Sequence, residues 1–452
     1  MVLAVSNSTE KTVSNKDKEE IISKIADRSA IVGVVGLGYV GLPFAVEKTK
    51  VGFQVIGIEL NPKRAAAVNA AKNYIGDVDD AELTQAVENG QLIAVSSFDC
   101  IPDLDAIVIC VPTPLTKNLT PDLSYIKSVT EQIAPFLRRG QLITLESTTY
   151  PGTTDELMRP ILETGSGLTQ GIDFFLAYSP ERVDPGNQRY TTKNTNKVVG
   201  ASDPDSLEVV TYFYQQTIDR VVPVSSAKAA ELVKVFENIF RSVNIALVNE
   251  LAMLCDRMDL NVWEILDAAN TKPFGIMSFY PGPGVGGHCI PLDPHYLEWK
   301  AKEYNFNTRF IRLAGEINRS MPEYVVHKAT KLLNYQGLAT SKAQILFLGV
   351  AYKKDIDDWR ESPAVQVMQL LQREGAKIGY YDPFVPFLTV DEHPLMSAKD
   401  MDTAIAQADL VIITTDHSQV DYGAAIGLAK AILDTRGITR KLADPDRKVV
   451  LL

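Results

Sequence analysis

The chain has 452 residues, of which 46% are hydrophobic and 22% charged, and its formal net charge is −11 at pH 7. Such a length exceeds one core and predicts two or three domains of ordinary globular composition, while the acidic balance argues against a nucleic-acid partner. Four scattered cysteines (Cys100, Cys110, Cys255, Cys289) form no CxxC pair, which argues against a zinc site and a disulfide scaffold and predicts a reducing, cytoplasmic setting.

The polar start "MVLAVSNSTEKTVSNKDKEE" lacks the apolar core of a signal peptide. No run approaches the roughly 18 apolar residues of a membrane span. Residues 1–29 are expected to be a polar extension running into a short helix.

The first clear element is "AIVGVVGLGYVGLPFAVEKTKVGFQVIGIELN". Ile31–Val35 reads as a buried parallel strand, Leu42 to Lys50 as a helix, and Gln54–Ile58 as a second strand ending in Glu59. The turn holds Gly36, Leu37, Gly38, Tyr39, Val40 and Gly41. Alone, GxGxxG is a weak signal. Strand, glycines, helix, strand and acid in this order make a dinucleotide-binding unit. Gly36 permits the tight turn, Gly38 lets backbone approach a pyrophosphate, and Gly41 lets helix pack on strand. The helix N-terminus supplies N–H donors and a positive dipole end. Glu59 can accept hydrogen bonds from an adenosine ribose and would repel a 2′-phosphate, so NAD is expected rather than NADP.

The alternation continues. Asp105–Pro114 is a strand ending at Thr113, Leu123–Phe136 a helix, and "QLITLESTTYPGTT" a strand ending at Thr148. Ligands in open α/β sheets bind beyond the carboxyl ends of strands, where both hydroxyls could meet nicotinamide or ribose. Strand-end turn chemistry explains them equally well. "DFFLAYSPERVDPG" brings Glu181 and Arg182 to another strand end.

From about Asp205 the period changes. "AKAAELVKVFENIFRSVNIALVNELAMLCDRMD" predicts a helix of some 30 residues, suited to a connector and a subunit interface. Lys234 and Asn238, four apart, share one of its faces. A lysine among Leu232, Val233, Val235 and Phe236 can also simply snorkel to water. Next comes "PGPGVGGHCIPLDPHY", a loop crowded with glycine and proline around Cys289, with Asp293 four residues on. Two helical stretches follow. Then "AQILFLGVAYKKDIDDWRESPAVQVMQLLQREGAKIGYYDP" repeats strand, loop, helix, strand and acid (Asp382). Its turn keeps only Gly349 of the glycine set, which predicts a poor second dinucleotide site and a wall for another ligand.

The expected fold class is α/β, two Rossmann-like doubly wound domains joined by a long central helix. The expected divisions are 1–29 (extension), 30–205 (NAD-binding), 206–335 (helical connector and dimerisation, with the cysteine loop) and 336–452 (second Rossmann-like unit, the wall for another ligand).

"GVVGLGYVGLP", "ESTTYPGT", "SPERVDPG", "ELVKVFENIFR", "GPGVGGHCIPLDP" and "GVAYKKDIDDWRESPA" occur in this order. Together they resemble the UDP-glucose/GDP-mannose dehydrogenase family of UDP-sugar 6-dehydrogenases over nearly everything after residue 30. The resemblance implies a four-electron oxidation of a sugar 6-hydroxyl to a carboxylate with two NAD+ reduced. It implies Cys289 as the nucleophile of a thiohemiacetal and thioester, since thiolate is the good nucleophile near neutral pH. It implies Lys234 as the catalytic lysine at a developing oxyanion, with Asn238 in the same anion site. Asp293 matches an aspartate that supports base chemistry, and Glu181 with Thr148 matches residues that place the hydrolytic water. Which carboxylate takes the proton stays open. A Cys289–His288 pair has no counterpart in the family.

For the cofactor the resemblance adds Arg64, Thr113, Thr148 and Arg360 to Gly36–Gly41 and Glu59. Pro185 stands where some members have an acid, so that contact is not carried over. For the sugar nucleotide it implies Glu181, Arg182, Lys234, Asn238, Tyr280–Gly286 (with Tyr280, Gly284 and Gly286) and Lys353, with a weaker match at Arg436. Around the thiol, UDP-glucose enzymes typically carry "GGSC" and a lysine where this chain has Leu292. The chain looks instead like the branch acting on UDP-N-acetylhexosamines, chiefly UDP-N-acetylglucosamine, which feeds surface polysaccharides. UDP-N-acetylmannosamine and UDP-glucose remain alternatives. A homodimer through the long helix, no metal, no nucleic acid and no membrane partner complete the expectation. A catalytically silent NAD-binding scaffold and a two-electron alcohol dehydrogenase are the competing classes.

Overall fold

The computed structural model describes residues 15–116, 120–182, 189–287 and 293–452, with Asn15 and Asp293 described by their backbone alone. The chain divides into two compact units, residues 1–237 and 238–452, and the division falls inside the helix Ala227–Met258.

The first unit is built on one eight-stranded sheet in the order β3-β2-β1-β4-β5-β6-β7-β8. The strands are β1 (Ile31–Val35), β2 (Gln54–Ile58), β3 (Leu92–Val95), β4 (Ala106–Ile109), β5 (Leu142–Leu145), β6 (Phe175–Tyr178), β7 (Lys197–Ala201) and β8 (Val221–Val224). The first six run parallel, and β7 turns antiparallel to β6. β1 pairs with both β2 and β4, so the strand order reverses there and a crevice opens beyond their carboxyl ends. β4, β5 and β6 are buried at every position, as parallel strands covered on both faces must be. One face packs Phe44, Phe53, Phe213 and Tyr214; the other packs Ile107, Ile143, Ile126 and Leu162.

The helix after β1 spans Gly41–Lys50. The helix expected over Leu123–Phe136 is an α-helix over Ser124–Ile133 and a 3₁₀ turn over Ala134–Phe136. Pro135 lacks the N–H that would continue the α-helical ladder. Part of the polar stretch before Ala30 is a helix, Asn15–Asp27. Lys18 ties it to Asp205 (2.8 Å) and Lys24 to Asp105 (3.1 Å).

The second unit carries a parallel five-stranded sheet, β10-β9-β13-β14-β15, and a two-stranded ribbon of β11 and β12. These strands are β9 (Gln344–Leu348), β10 (Lys377–Tyr381), β11 (Phe387–Val390), β12 (His393–Met396), β13 (Leu410–Ile413), β14 (Ile432–Asp434) and β15 (Val449–Leu451). Helices Asp293–Ala301 and Arg309–Tyr335 precede it. Both Rossmann-like sheets and the long helix, 32 residues, match the expected fold class. Among the described residues no helix is long and apolar enough to cross a membrane, and no cluster of three or more metal-ligating side chains occurs. Of the cysteines outside the cysteine loop, Cys110 and Cys255 are buried and Cys100 is part-exposed.

Candidate active site

The site-bearing loops of the first unit leave the carboxyl ends of its strands. Gly36 follows β1 with φ +89°, the left-handed region that glycine adopts without penalty. A Cβ on Gly41 would lie 1.8 Å from the Gly36 carbonyl oxygen, so helix and turn touch only because that position is bare. Gly38 differs: a Cβ there would meet no protein atom within 4 Å. Packing within the chain therefore does not require Gly38 to be glycine. The open cradle left there fits the approach of a dinucleotide pyrophosphate. Glu59, after β2, accepts a hydrogen bond from the Leu37 N–H (3.1 Å) on one oxygen and from the Asn61 N–H (2.9 Å) on the other. Each oxygen keeps a lone pair for a ribose hydroxyl. Tyr74, not singled out in the sequence, donates its hydroxyl to the Leu37 carbonyl (2.7 Å), and Arg64 lies over its ring at 5.8 Å. Burial holds the Tyr74 hydroxyl up to about 12, so it stays a donor and braces the turn.

Across the crevice, Ser147 clamps the end of β4. Its Oγ accepts the Val111 N–H (2.9 Å) and donates to the Val111 carbonyl (2.7 Å). Thr113 follows on that loop and Thr148 follows Ser147; both are part-exposed. The next turn is tied to the long helix by Glu231, which is fully buried. Its carboxylate accepts from the N–H of Gly152 (2.5 Å), and from the N–H (2.9 Å) and hydroxyl (2.7 Å) of Thr154. Burial nevertheless pushes Glu231 up to about 7, against the pull of those donors.

Beyond β6, Glu181 enters a cluster the sequence did not announce. Lys197 Nζ bridges Glu146 (2.9 Å) and Glu181 (3.3 Å), and Glu146 accepts the Tyr214 hydroxyl (2.5 Å). Lys197 is held well above its ordinary range by the two carboxylates, despite its burial. Glu146 and Lys197 lie 51 positions apart, in strand contexts with no spacing signature. Arg182 turns to Glu237 (2.6 Å) and the Asn196 carbonyl (2.5 Å). Lys234 sits half-buried on the long helix, with no ion pair to a described residue, one turn from the buried Asn238.

In the second unit, the loop from Tyr280 to Gly287 is held from two sides. Buried Asn249 accepts the Gly282 N–H (3.0 Å) and donates to Asn318 (3.0 Å). A Cβ on Gly286 would come within 2.8 Å of both Pro363 and Tyr352, and one on Gly284 within 3.2 Å of Pro363. Both glycines thus answer to packing against the 352–363 segment, a reason beyond close approach of a sugar. Tyr280 stacks on Trp263 (5.7 Å, 17°) and donates to Asp267 (2.8 Å). Arg436 donates to the Thr414 carbonyl (2.8 Å), and its guanidinium lies 3.0 Å from where a Gly282 Cβ would stand.

The 350–360 segment carries Lys353 and Arg360. Arg360 forms a two-pronged pair with Asp358 (2.8 and 2.7 Å). Asp382 occupies the place that Glu59 has in the first unit. It accepts from the N–H groups of Val350 (2.7 Å), Ala351 (3.2 Å), Phe384 (2.8 Å) and Val385 (3.0 Å), and from His417 Nε2 (2.9 Å). His417 Nδ1 accepts the Asp355 N–H (3.0 Å), which fixes Nε2 as the donor. Five donors fill a carboxylate with about four lone-pair sites, and none is left for a ribose. The expectation of a poor second dinucleotide site thereby gains a cause. Cys289 and its neighbour His288, Leu292, Pro185 and the Asp293 side chain lie outside the described residues.

Comparison with known proteins gives three successive family matches. Residues 30–218 match the UDP-glucose/GDP-mannose dehydrogenase family, NAD binding domain; residues 228–320 its central domain; and residues 346–441 its UDP binding domain. A UDP-N-acetyl-D-glucosamine 6-dehydrogenase of Pseudomonas aeruginosa is 37% identical over 355 residues, covering 78% of this chain and 83% of the relative. A UDP-N-acetyl-D-mannosamine dehydrogenase of Methanocaldococcus jannaschii is 34% identical over 420 residues, covering 90% and 92%. The solved structure of a UDP-D-ManNAc dehydrogenase from Pyrococcus horikoshii superposes with a TM-score of 0.85 at 32% identity, covering 93% of this chain and 98% of that one.

Proposed function

The chain belongs to the UDP-glucose/GDP-mannose dehydrogenase family, NAD-dependent oxidoreductases of nucleotide sugars, and we propose that it oxidises the 6-hydroxyl of a UDP-N-acetylhexosamine to the uronic acid. The substrate we assign is UDP-N-acetylglucosamine. What supports the reading is the order of the three matches, with Lys234, Asn238, Tyr280, Cys289 and Asp293 all inside the central one. The loop chemistry of "GGHCIPLDP" favours the acetamido branch over UDP-glucose enzymes. A second reading, UDP-N-acetylmannosamine, is favoured by the relatives from M. jannaschii and P. horikoshii.

In this reading NAD, held at Gly36–Gly41 and Glu59, supplies the hydride acceptor. Thr113, Thr148, Arg64 and Arg360 complete its contacts. Lys234 and Asn238 stabilise the oxygen that gains charge as the 6-hydroxyl loses its proton. Cys289 adds as thiolate to the aldehyde carbon and holds the acyl group as a thioester. Glu181, Thr148 and Asp293 place the water that releases the acid. Arg182, Tyr280, Gly284, Gly286 and Lys353 bind the sugar nucleotide, the ammonium of Lys353 serving its phosphates. The four divisions 1–29, 30–205, 206–335 and 336–452 carry extension, cofactor, catalytic loop and sugar nucleotide in turn. The acid feeds surface polysaccharide synthesis in the cytoplasm. Phe240, Leu247 and Leu254, exposed and seven residues apart on the long helix, support a homodimer.

The test is NADH formed per sugar consumed, with UDP-GlcNAc, UDP-ManNAc and UDP-glucose offered separately. About two NADH from UDP-GlcNAc is the expected result. One NADH would make the protein a two-electron alcohol dehydrogenase. Cys289→Ser should stop turnover at the second oxidation or at hydrolysis, and Lys234→Ala should lose most activity while keeping NAD affinity.

A further inference from the structure

We propose that Lys197 is a positioning residue for the hydrolytic half of the reaction, fixing the Glu181 carboxylate and giving it a permanent positive neighbour. This rests on the proposed placing of the hydrolytic water by Glu181, Thr148 and Asp293, and takes Glu181 as the carboxylate that receives the water's proton. In that step water adds to the thioester carbonyl carbon, the C–S bond breaks, the sulfur leaves as thiolate, and the water's proton passes to Glu181. No electrons change hands.

The geometry is that of a chain of groups running out of the core. Tyr214 donates to one oxygen of Glu146 (2.5 Å), and Lys197 donates to the other (2.9 Å). Lys197 also reaches Glu181 Oε2 (3.3 Å), while Glu181 Oε1 accepts the Arg182 N–H (2.7 Å). Both Glu181 oxygens are therefore held. The side chains of Glu146 and Lys197 are 0% and 5% exposed, and that of Glu181 is 16%. Of these three side chains Glu181 is the most exposed.

One ammonium serves two carboxylates, so what Glu146 takes from Lys197, Glu181 loses. Tyr214 and Cys110, both pushed well up by burial, also face the cluster, with Lys48 at longer range, while the Arg182 guanidinium beside Glu181 is paired with Glu237 (2.6 Å). In a dry cluster, removing a positive neighbour raises a carboxylate's pKa and removing a competing anion lowers it.

The experiment compares the full-length protein with Lys197→Met, Lys197→Arg and Glu146→Gln, using NAD+ and UDP-GlcNAc. Readouts are kcat against pH and the mass of the covalent acyl-enzyme. Lys197→Met should lose roughly tenfold or more in kcat at neutral pH. It should accumulate acyl-enzyme and move the acidic limb up by about one pH unit. Glu146→Gln should move the limb down, and Lys197→Arg should restore most of the native profile. Limbs that stay in place, or that move together, overturn the assignment, since a merely structural role gives no opposite shifts. Should Lys197→Met fail to fold, an unmoved or raised limb in Glu146→Gln overturns it alone. A native protein that releases no NADH from any UDP-sugar defeats the functional reading itself; turnover with unmoved limbs defeats only this inference.

Discussion

Asp382 accepts the Val350 N–H at 2.7 Å, the relationship that Glu59 holds to the Leu37 N–H at 3.1 Å in the first unit. Both acids follow a second parallel strand and reach back to the turn after the first. The difference is what else they hold. Glu59 takes one donor per oxygen, and Asp382 takes five in all. Only the first turn has acceptor capacity left for a ribose. Calorimetric titration should therefore find one NAD per chain. Glu59→Ala should weaken NAD roughly tenfold or more, as expected for loss of hydrogen bonds to a charged group. Asp382→Asn should lower stability and leave NAD affinity unchanged. Two NAD per chain would contradict this division of roles.

Gly38 and Gly41 make a sharper pair. A Cβ at Gly41 would stand 1.8 Å from backbone, and one at Gly38 in open space. Gly41→Ala should destabilise the first unit by about 1–3 kcal/mol or more, the usual cost of overpacking. Gly38→Ala should unfold at the native temperature and still bind NAD far less tightly. Thermal melts with and without NAD separate the two outcomes. Equal loss of stability in both would mean that the turn is uniformly packed.

The turn and its acid were legible because they lie within 24 residues of sequence, Gly36 to Glu59, and each has a local reason. The alternation of strand and helix was legible for the same cause: apolar periodicity is set by near neighbours. Lys197 and Glu146 carry no such signal. Their partnership depends on β5 and β7 being placed on either side of β6, which only the finished sheet decides. Lys48 misleads in another way. In "AVEKTK" nothing local separates it from Lys50, yet it is wholly buried while Lys50 is exposed. The resemblance assigns the glycines at 284 and 286 to the sugar nucleotide; their contacts with Pro363 and Tyr352 are over 60 positions away in the chain.

Glu231 predicts a pH dependence of stability. Its folded value of about 7 lies above the ordinary 4.5. The folded state then binds more protons than the unfolded chain between those values, so stability falls as pH rises from about 4.5 to about 7. The full shift corresponds to roughly 3 kcal/mol. Urea titrations at stepped pH should show that slope in the native protein. Glu231→Gln should remove it, with a constant loss of about 1–3 kcal/mol because an amide N–H then faces the N–H of Gly152 or Thr154. A slope that survives the substitution would place the titrating group elsewhere.

Lys48 poses a contest between two magnitudes. Its Nζ makes one hydrogen bond, to the Phe213 carbonyl at 3.0 Å, and lies 3.5 Å from the Phe213 ring centroid, with Phe44, Phe53 and Tyr214 at 5.3 to 5.4 Å. A desolvated cation–π contact contributes about 2 kcal/mol. Removing an ammonium from water costs several kcal/mol per ion even after relaxation. The cost is larger, and burial accordingly drives the Lys48 ammonium well below its ordinary range. The unfolded chain then holds the extra proton over the window between the lowered value and 10.5, so stability rises with pH through it. Lys48→Met keeps the length of the side chain and removes the charge. It should raise stability at pH 7 by roughly 1–3 kcal/mol, with the native protein gaining on it as pH approaches 10. Denaturant titrations at pH 7 and pH 10 decide it. A less stable Lys48→Met protein at both would mean that the four rings hold the cation more strongly than water does.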